Sequence, residues 1–159
     1  MRNALNEQLI NSEKKKQLKQ IDMKRNIIIT DYDYARLASL IGSIKKTKNE
    51  ELRNLTILCD EIARAERVNP KEIEPDFVTM NSQVEVIDLD NGKVMTIKLV
   101  YPKDADFRKG NISILSLLGS ALLGYRVGSI IKFDAPFGEK RIRIKSIIYQ
   151  PEANGVFDV

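Results

Sequence analysis

The chain has 159 residues, 43% hydrophobic and 30% charged, which suits one folded domain or one small domain with an appendage. It contains no histidine and one cysteine, Cys59, which excludes Ser-His and Cys-His catalysis, an imidazole zinc site and an intramolecular disulfide. No apolar run approaches the roughly 20 residues that span a bilayer, and polar residues interrupt any signal-peptide core near the N-terminus. We therefore expect a cytoplasmic protein with no membrane contact.

The net charge of +4 is concentrated at the N-terminus. Residues 1–26 carry seven basic and three acidic side chains, which leaves 19 of the 26 basic and 19 of the 22 acidic side chains in residues 27–159. We interpret residues 1–25 as a flexible, solvated basic extension. The alternative is a segment that makes weak contact with RNA or DNA, since phosphate binding needs a localised basic surface. Met23, followed by Lys-Arg-Asn, also permits translation to start there.

Two helical patterns follow. Thr30 is a good N-cap with Asp33 three residues later, and apolar residues then recur at helical spacing: Tyr34, Leu37, Ala38, Ile41 and Ile44. After the polar loop 45–49 a second stripe repeats at intervals of three and four residues: Leu52, Leu55, Cys59 and Ile62. Pro70 closes this helix. The pattern predicts a short antiparallel coiled-coil hairpin in which Cys59 is a small buried hydrophobe.

The hydrophobic period changes from 3.6 to 2 after residue 77. VEVIDL (84–89) and VMTIKLVY (94–101) flank Asn91-Gly92, a pair favoured in type I′ turns because both central residues need positive φ. Three further strands are predicted: ISILS (112–116), SIIKFDA (129–135) and KRIRIKSIIY (140–149). With the small-residue segment 117–128, this part predicts four or five antiparallel strands and one short helix. The whole chain is therefore α+β.

Four segments occur in an order and spacing typical of a known family: VTMNS (78–82), LVYP (99–102), SALLGYRVG (120–128) and YQPEANG (149–155). With these motifs, residues 26–159 resemble the Rnk branch of the GreA/GreB family of bacterial transcription elongation factors. The resemblance implies a short helical hairpin (26–69), a C-terminal FKBP-like β domain (70–159) and binding to RNA polymerase near its secondary channel. The basic extension 1–25 lies outside it.

In Gre factors two carboxylates at the tip of the hairpin help to hold a second Mg²⁺ in the polymerase active site. The corresponding segment here contains three lysines, one asparagine and two adjacent acids: Lys45, Lys46, Lys48, Asn49, Glu50 and Glu51. Lysines repel a metal ion, and adjacent residues on a helix point about 100° apart. We interpret Glu50 and Glu51 as favourable charges in the first turn of a helix, and we predict no metal ligand, no cofactor and no catalytic residue.

The resemblance also implies that the loop and short helix near residue 120 form part of the polymerase-binding surface. The candidate contacts are Ser116, Leu117, Leu118, Gly119, Ala121, Leu122 and Gly124. Leu117 stands where proline is usual in the family. The alternative is that this segment only closes one end of the β domain, with its glycines permitting close packing. Prolyl isomerase activity is disfavoured, because the chain lacks tryptophan and its Phe and Tyr residues are scattered.

Together these features predict a monomeric, non-catalytic regulator that binds RNA polymerase, competes with longer-armed Gre factors and needs no cofactor. One alternative is a transcript-cleavage factor acting through Glu50 and Glu51. Another is a DNA- or RNA-binding module that uses residues 1–25. Phosphotransfer is disfavoured because the sequence has neither a histidine nor a Gly-rich Lys-Ser/Thr loop.

Overall fold

The computed structural model describes residues 4–13, 27–44 and 51–159. Residues 4–13 are helical (α1) and exposed, and the remainder of the predicted basic extension lies outside the described residues. From Ile27 onward two helices precede a β domain that contains one short helix. The predicted α+β class, with a helical hairpin before a β domain, is confirmed. None of the helices within these three ranges has the length and hydropathy needed to cross a membrane.

The two helices of the hairpin are α2 (Asp31–Ile44) and α3 (Glu51–Arg64), each of 14 residues. Thr30 caps α2 as predicted, because its Oγ1 accepts a hydrogen bond from the amide of Asp33 at 3.0 Å. Among the described side chains of the two helices, the buried hydrophobic ones are Leu37, Ile41, Leu55, Leu58 and Ile62; the predicted stripe residue Leu52 lies outside the described side chains.

Two details of the predicted stripes are wrong. Ala38 is exposed, because the buried face of α2 follows Leu37 and Ile41 at a spacing of four residues. On α3 the fully buried position is Leu58, and Cys59 is only half-buried. The larger leucine side chain removes more apolar surface from water than the thiol would at the same position.

A two-stranded parallel sheet closes the base of the hairpin. Strand β1 (Ile28–Thr30) leads into α2, and β2 (Glu66–Val68) follows α3 and pairs with β1. The prediction that the second helix continues to Pro70 is wrong. Helix α3 ends at Arg64, because the chain beyond it hydrogen-bonds to β1 instead, beginning with the Glu66 amide, which donates to the Ile27 carbonyl at 2.9 Å. We call the segment from β1 to β2 the arm.

The β domain contains a five-stranded sheet in the order β5-β4-β3-β7-β6. Its strands are β3 (Gln83–Asp88), β4 (Val94–Val100), β5 (Asn111–Ser113), β6 (Ile130–Ala135) and β7 (Gly138–Tyr149). Helix α4 (Leu117–Leu122) lies between β5 and β6 in the chain. The antiparallel prediction holds for three of the strand pairs and is wrong for β5, which pairs parallel with β4.

The sheet has one face in the core and one face towards solvent. On β3 the buried residues alternate with half-buried ones, as the period of two predicts: Val84, Val86 and Asp88 are buried. On β7 Ile142 and Ile144 are buried between exposed cationic residues. On β7 the solvent face therefore carries a row of cationic side chains, Arg141, Arg143 and Lys145.

The hairpin between β3 and β4 lies where the sequence predicts it, but its turn differs from the prediction. Of the two residues Asn91 and Gly92, only Gly92 has a positive φ, of 73°, so the pair does not form a type I′ turn. The Asp88 amide donates to the Lys93 carbonyl at 2.8 Å, and this bond closes a loop of four residues, 89–92. Asn91 instead uses its side chain, whose Oδ1 accepts from the Lys93 amide at 2.8 Å.

Candidate partner-binding surface and arm junction

Helix α4 begins with a side-chain cap. The Ser116 Oγ accepts a hydrogen bond from the Gly119 amide at 3.0 Å, and its hydroxyl donates to the Ser113 carbonyl at 2.7 Å. Leu117 is consequently the first helical residue. Proline is best tolerated at this position, because the missing amide hydrogen would have no partner in the helix. Leu117 therefore occupies the first helical position, at which leucine and proline both permit the helix to start.

The seven candidate contact residues around α4 divide by exposure. Gly119, Leu122 and Gly124 are buried, so a partner cannot touch them directly. The half-buried members are Ser116, Leu117, Leu118 and Ala121. The predicted contact surface is therefore narrowed to these four residues, which we call the α4 surface. Contact with a partner stays a prediction for them.

The two buried glycines have structural roles. A Cβ atom at Gly119 would overlap the carbonyl oxygen of Ser113, so α4 can lie against β5 only with glycine at this position. Gly124 has a φ of 81°, and a Cβ there would overlap the Ile27 side chain. Its amide donates to the Val78 carbonyl at 2.9 Å and its carbonyl accepts from the Ile28 amide at 3.0 Å. Gly124 thus joins the β domain to the base of the arm.

A buried carboxyl group lies where the arm meets the β domain. Asp33, in the first turn of α2, is 1% exposed, and its Oδ2 accepts a hydrogen bond from the Met80 amide at 3.0 Å. The next residue, Asn81, has a positive φ of 65°, which is uncommon for a residue other than glycine. We call Asp33, Thr79, Met80, Gln150 and Glu152 the arm junction.

Burial dominates the electrostatics of Asp33. The pKa of this carboxyl is raised from 3.8 to about 7, mainly by burial and in part by the charge of the nearby Glu152, while the Met80 hydrogen bond and the Arg36 charge oppose the rise. Burial also raises the pKa of Glu152 above its ordinary value, against a hydrogen bond from Thr79. The arm junction therefore concentrates two acids whose ionised forms are disfavoured.

The C-terminal motif YQPEANG completes the arm junction. Glu152 Oε2 accepts a hydrogen bond from the Thr79 hydroxyl at 2.7 Å. The buried Gln150 donates from Nε2 to the carbonyls of Glu74 and Phe77, at 2.9 and 2.8 Å. The motif therefore holds the end of the last strand against the β domain, and it also supports the segment that contacts Asp33.

The position of Asp33 in the sequence indicates only its part in a capping motif. Its side chain binds the Met80 amide and thus joins two parts of the chain that are 47 residues apart. One signal was available: Asp33, Leu37 and Ile41 are spaced by four residues, so the acid stands on the apolar stripe of α2. An acid at a core position predicts a buried partner, because a carboxyl group is rarely buried without one.

The predicted tip of the arm lies almost entirely outside the described residues. Residues 45–50, which include Lys45, Lys46, Lys48, Asn49 and Glu50, are not described, and Glu51 is the first residue of α3. Within the described ranges no group of three or more Cys, Asp or Glu side chains could hold a metal ion. The predicted chemistry of the tip therefore rests on the sequence.

Comparison with known proteins identifies the family. The model of the Rnk N-terminus matches residues 25–68, and that of the C-terminal part of transcription elongation factor GreA/GreB matches residues 73–149. The regulator of nucleoside diphosphate kinase from Escherichia coli (strain K12) is 35% identical over 130 residues, which cover 81% of this chain and 93% of that protein. The chain belongs to the Rnk branch of the GreA/GreB family.

Two other relatives extend this result. A solved GreA/GreB elongation factor from Nitrosomonas europaea is 39% identical with a TM-score of 0.64, and the match covers 77% of this chain and 99% of that chain. The elongation factor GreA from Syntrophotalea carbinolica is 34% identical over 92 residues, 58% of each protein. The family predicted from the four sequence motifs is therefore confirmed, and the likeness to GreA/GreB proteins includes the fold.

Proposed function

We propose that this protein is a non-catalytic transcription regulator that binds RNA polymerase near its secondary channel. Its β domain makes the contact, and the protein competes there with longer-armed Gre factors. Membership of the GreA/GreB family, whose factors bind RNA polymerase, supports the choice of partner. The observation that carries the proposal is the presence of a GreA/GreB C-terminal part and an Rnk N-terminus in one chain.

The α4 surface is the proposed docking site. Its half-buried apolar members, Leu117, Leu118 and Ala121, present side chains that a partner could cover without unfolding the helix. Helix α4 lies next to α3, and the Arg64 guanidinium of α3 donates to the Tyr125 hydroxyl, just after α4, at 3.2 Å. Docking at α4 would therefore also fix the position of the arm relative to the polymerase.

The length of the arm helices and the sequence of the tip support the proposal that the protein does not stimulate transcript cleavage. Each of the two arm helices has 14 residues, which corresponds to about 21 Å at 1.5 Å per residue. Two-metal hydrolysis requires carboxylates that converge on one ion, and the tip sequence offers three lysines and two adjacent glutamates. Competition, by contrast, needs only overlapping sites and a sufficient concentration relative to Kd.

Co-migration of the full-length protein with core RNA polymerase tests the docking claim. We expect binding that a long-armed Gre factor displaces. Leu117→Glu should weaken binding to the polymerase about tenfold or more, because it places a charge on the apolar docking surface. Helix α4 should still fold, because an acid in the first turn of a helix is favourable. Phe137→Glu, which places the same charge on a fully exposed turn between β6 and β7, is the matched control and should bind normally. Binding that Leu117→Glu leaves unchanged would contradict docking at α4.

Nascent-RNA cleavage in stalled elongation complexes tests the second half of the proposal. We expect the protein to leave the cleavage rate unchanged on its own and to lower it when a Gre factor is present. Stimulated cleavage that a Glu50→Ala/Glu51→Ala double variant abolishes would instead support the transcript-cleavage alternative.

A further inference from the structure

Four polar residues form a row across the solvent face of the sheet. The strand registers place Asn111 of β5 opposite Lys98 of β4, Lys98 opposite Gln83 of β3, and Gln83 opposite Tyr149 of β7. Neighbouring strands are about 4.8 Å apart, so the row extends over about 14 Å. The alternation of β3 and β4 directs these side chains away from the core. We call this set the sheet row.

The sheet row forms the floor of a cleft of about 490 Å³. Thr96, Lys109 and Gly110 contribute to its walls, and the remaining lining residue is Ile97. This volume lies within the roughly 300–1,000 Å³ that small-molecule sites occupy. The cleft is therefore large enough for a compact organic ligand, and its lining is mainly polar.

The charge of the cleft is positive. Its only charged lining residues are Lys98 and Lys109. In the described part of the chain Lys98 has no acidic side chain within ion-pair distance, and Lys109 has only an exposed contact with Asp106 at 4.0 Å. Two ammonium groups without a close carboxylate favour an anion, and phosphate oxygens accept hydrogen bonds from lysine in many sites.

The other groups of the sheet row suit the remainder of a nucleotide. Tyr149 is 37% exposed, so its ring is available for stacking with a planar base. Gln83 and Asn111 each offer both a donor and an acceptor, which base edges and ribose hydroxyls require. We propose that this cleft binds a nucleotide, with its phosphates at Lys98 and Lys109 and its base against Tyr149.

The neighbouring cleft explains the proposed orientation. It has a volume of about 350 Å³ and shares Lys98 and Tyr149 with the first. Asp104 and Asp158 line it together with three cationic side chains, Arg36, Lys98 and Lys103, so it lacks the uniform positive charge of the first cleft. Phosphates are consequently directed towards Lys109, away from these carboxylates.

Isothermal titration of the full-length protein with ATP, GTP, CTP and UTP tests the site, with inorganic phosphate and adenosine as fragments. We expect nucleotides to bind, and Lys98→Ala and Lys109→Ala each to raise Kd about tenfold, the effect of losing one charge-assisted hydrogen bond. Tyr149→Ala should weaken nucleotide binding and leave phosphate binding unchanged. Lys132→Ala, an exposed lysine of β6 outside the cleft, is the control and should have no effect.

Three results would overturn the proposal. The first is no heat of binding at millimolar nucleotide, and the second is binding that none of the three cleft variants changes. The third is a short single-stranded RNA that binds far more tightly than any mononucleotide, which would assign the cleft to a polymer. The assay contains no polymerase, so its failure is distinguishable from a failure of the proposed docking.

Discussion

Asp33 is the residue whose environment differs most from what its sequence position suggests. It stands in the first turn of a helix, where an ionised acid is normally favourable. Burial nevertheless raises its pKa to about 7, so near neutral pH its neutral form is well populated in the folded protein. The acid therefore acts mainly through its hydrogen bond to the β domain.

This burial predicts a pH dependence of stability. Between pH 4 and pH 7 the folded chain holds a proton on Asp33 that the unfolded chain releases, so the free energy of unfolding should fall as pH rises. One pKa unit corresponds to about 1.4 kcal/mol, so above pH 7 the ionisation of Asp33 should lower the free energy of unfolding by about 4 kcal/mol relative to pH 4. Asp33→Asn, which mimics the neutral carboxyl, should flatten the dependence and stabilise the protein at pH 8.

Urea unfolding at several pH values measures this effect. Asp60→Asn, which removes an exposed acid from α3, is the matched control and should keep the wild-type dependence. A parallel pH dependence in wild type and Asp33→Asn would show that Asp33 is not the group responsible.

At the scale of elements, α4 depends on one glycine. Gly119→Ala should lower the free energy of unfolding by about 1–3 kcal/mol, because the added methyl group meets the Ser113 carbonyl and the backbone must move. Gly42→Ala is the control, since no atom lies within 4 Å of its added Cβ and alanine favours the helix by about 1 kcal/mol. Chemical denaturation of both variants checks the prediction. Equal stability of the two would contradict the close packing of α4 on β5.

The elements predicted correctly are those long enough to show a period. Strand β7 has 12 residues and β3 has six, so their alternation is visible in the sequence. Strands β2 and β5 have three residues each, too few for a period to show, and nothing in so short a segment indicates that its partner strand is parallel. The prediction of a type I′ turn between β3 and β4 is wrong because the hydrogen bond between the Asp88 amide and the Lys93 carbonyl, rather than the Asn-Gly pair, sets the length of the loop.

The candidate binding surfaces also divide into one that the sequence predicts and one that it does not. The seven candidate contacts around α4 were predicted because the family resemblance assigns polymerase binding to this loop and short helix, but the burial of Gly119, Leu122 and Gly124 could not be read from the sequence. The sheet row was not predicted, because its four members come from four strands and only the register brings them together. Sequence patterns describe one element at a time, whereas such a site exists only between elements.

At the scale of the whole molecule, the net positive charge and the proposed docking surface belong to different segments. Deleting residues 1–22 should remove any salt-dependent binding to nucleic acid by the basic extension while polymerase binding persists, because the deletion removes five of the seven basic side chains of residues 1–26 and residues 27–159 carry equal numbers of acids and bases. Filter binding at several salt concentrations, together with polymerase co-migration, measures both properties. Loss of polymerase binding in the truncated protein would contradict docking through the β domain.

Because β1 pairs with β2, the arm can be lengthened or replaced without a change in the β domain. The chain enters the arm through β1 and leaves it through β2, and these two strands lie side by side in one small sheet, with Ile28 opposite Glu66 and Thr30 opposite Val68. Insertion of the same number of helical turns into α2 and α3 would lengthen the arm without changing this entry and exit. Evolution within such a family can therefore vary the reach and the tip of the arm while the β domain keeps its sequence, and chimaeric proteins can be built at the same two strands.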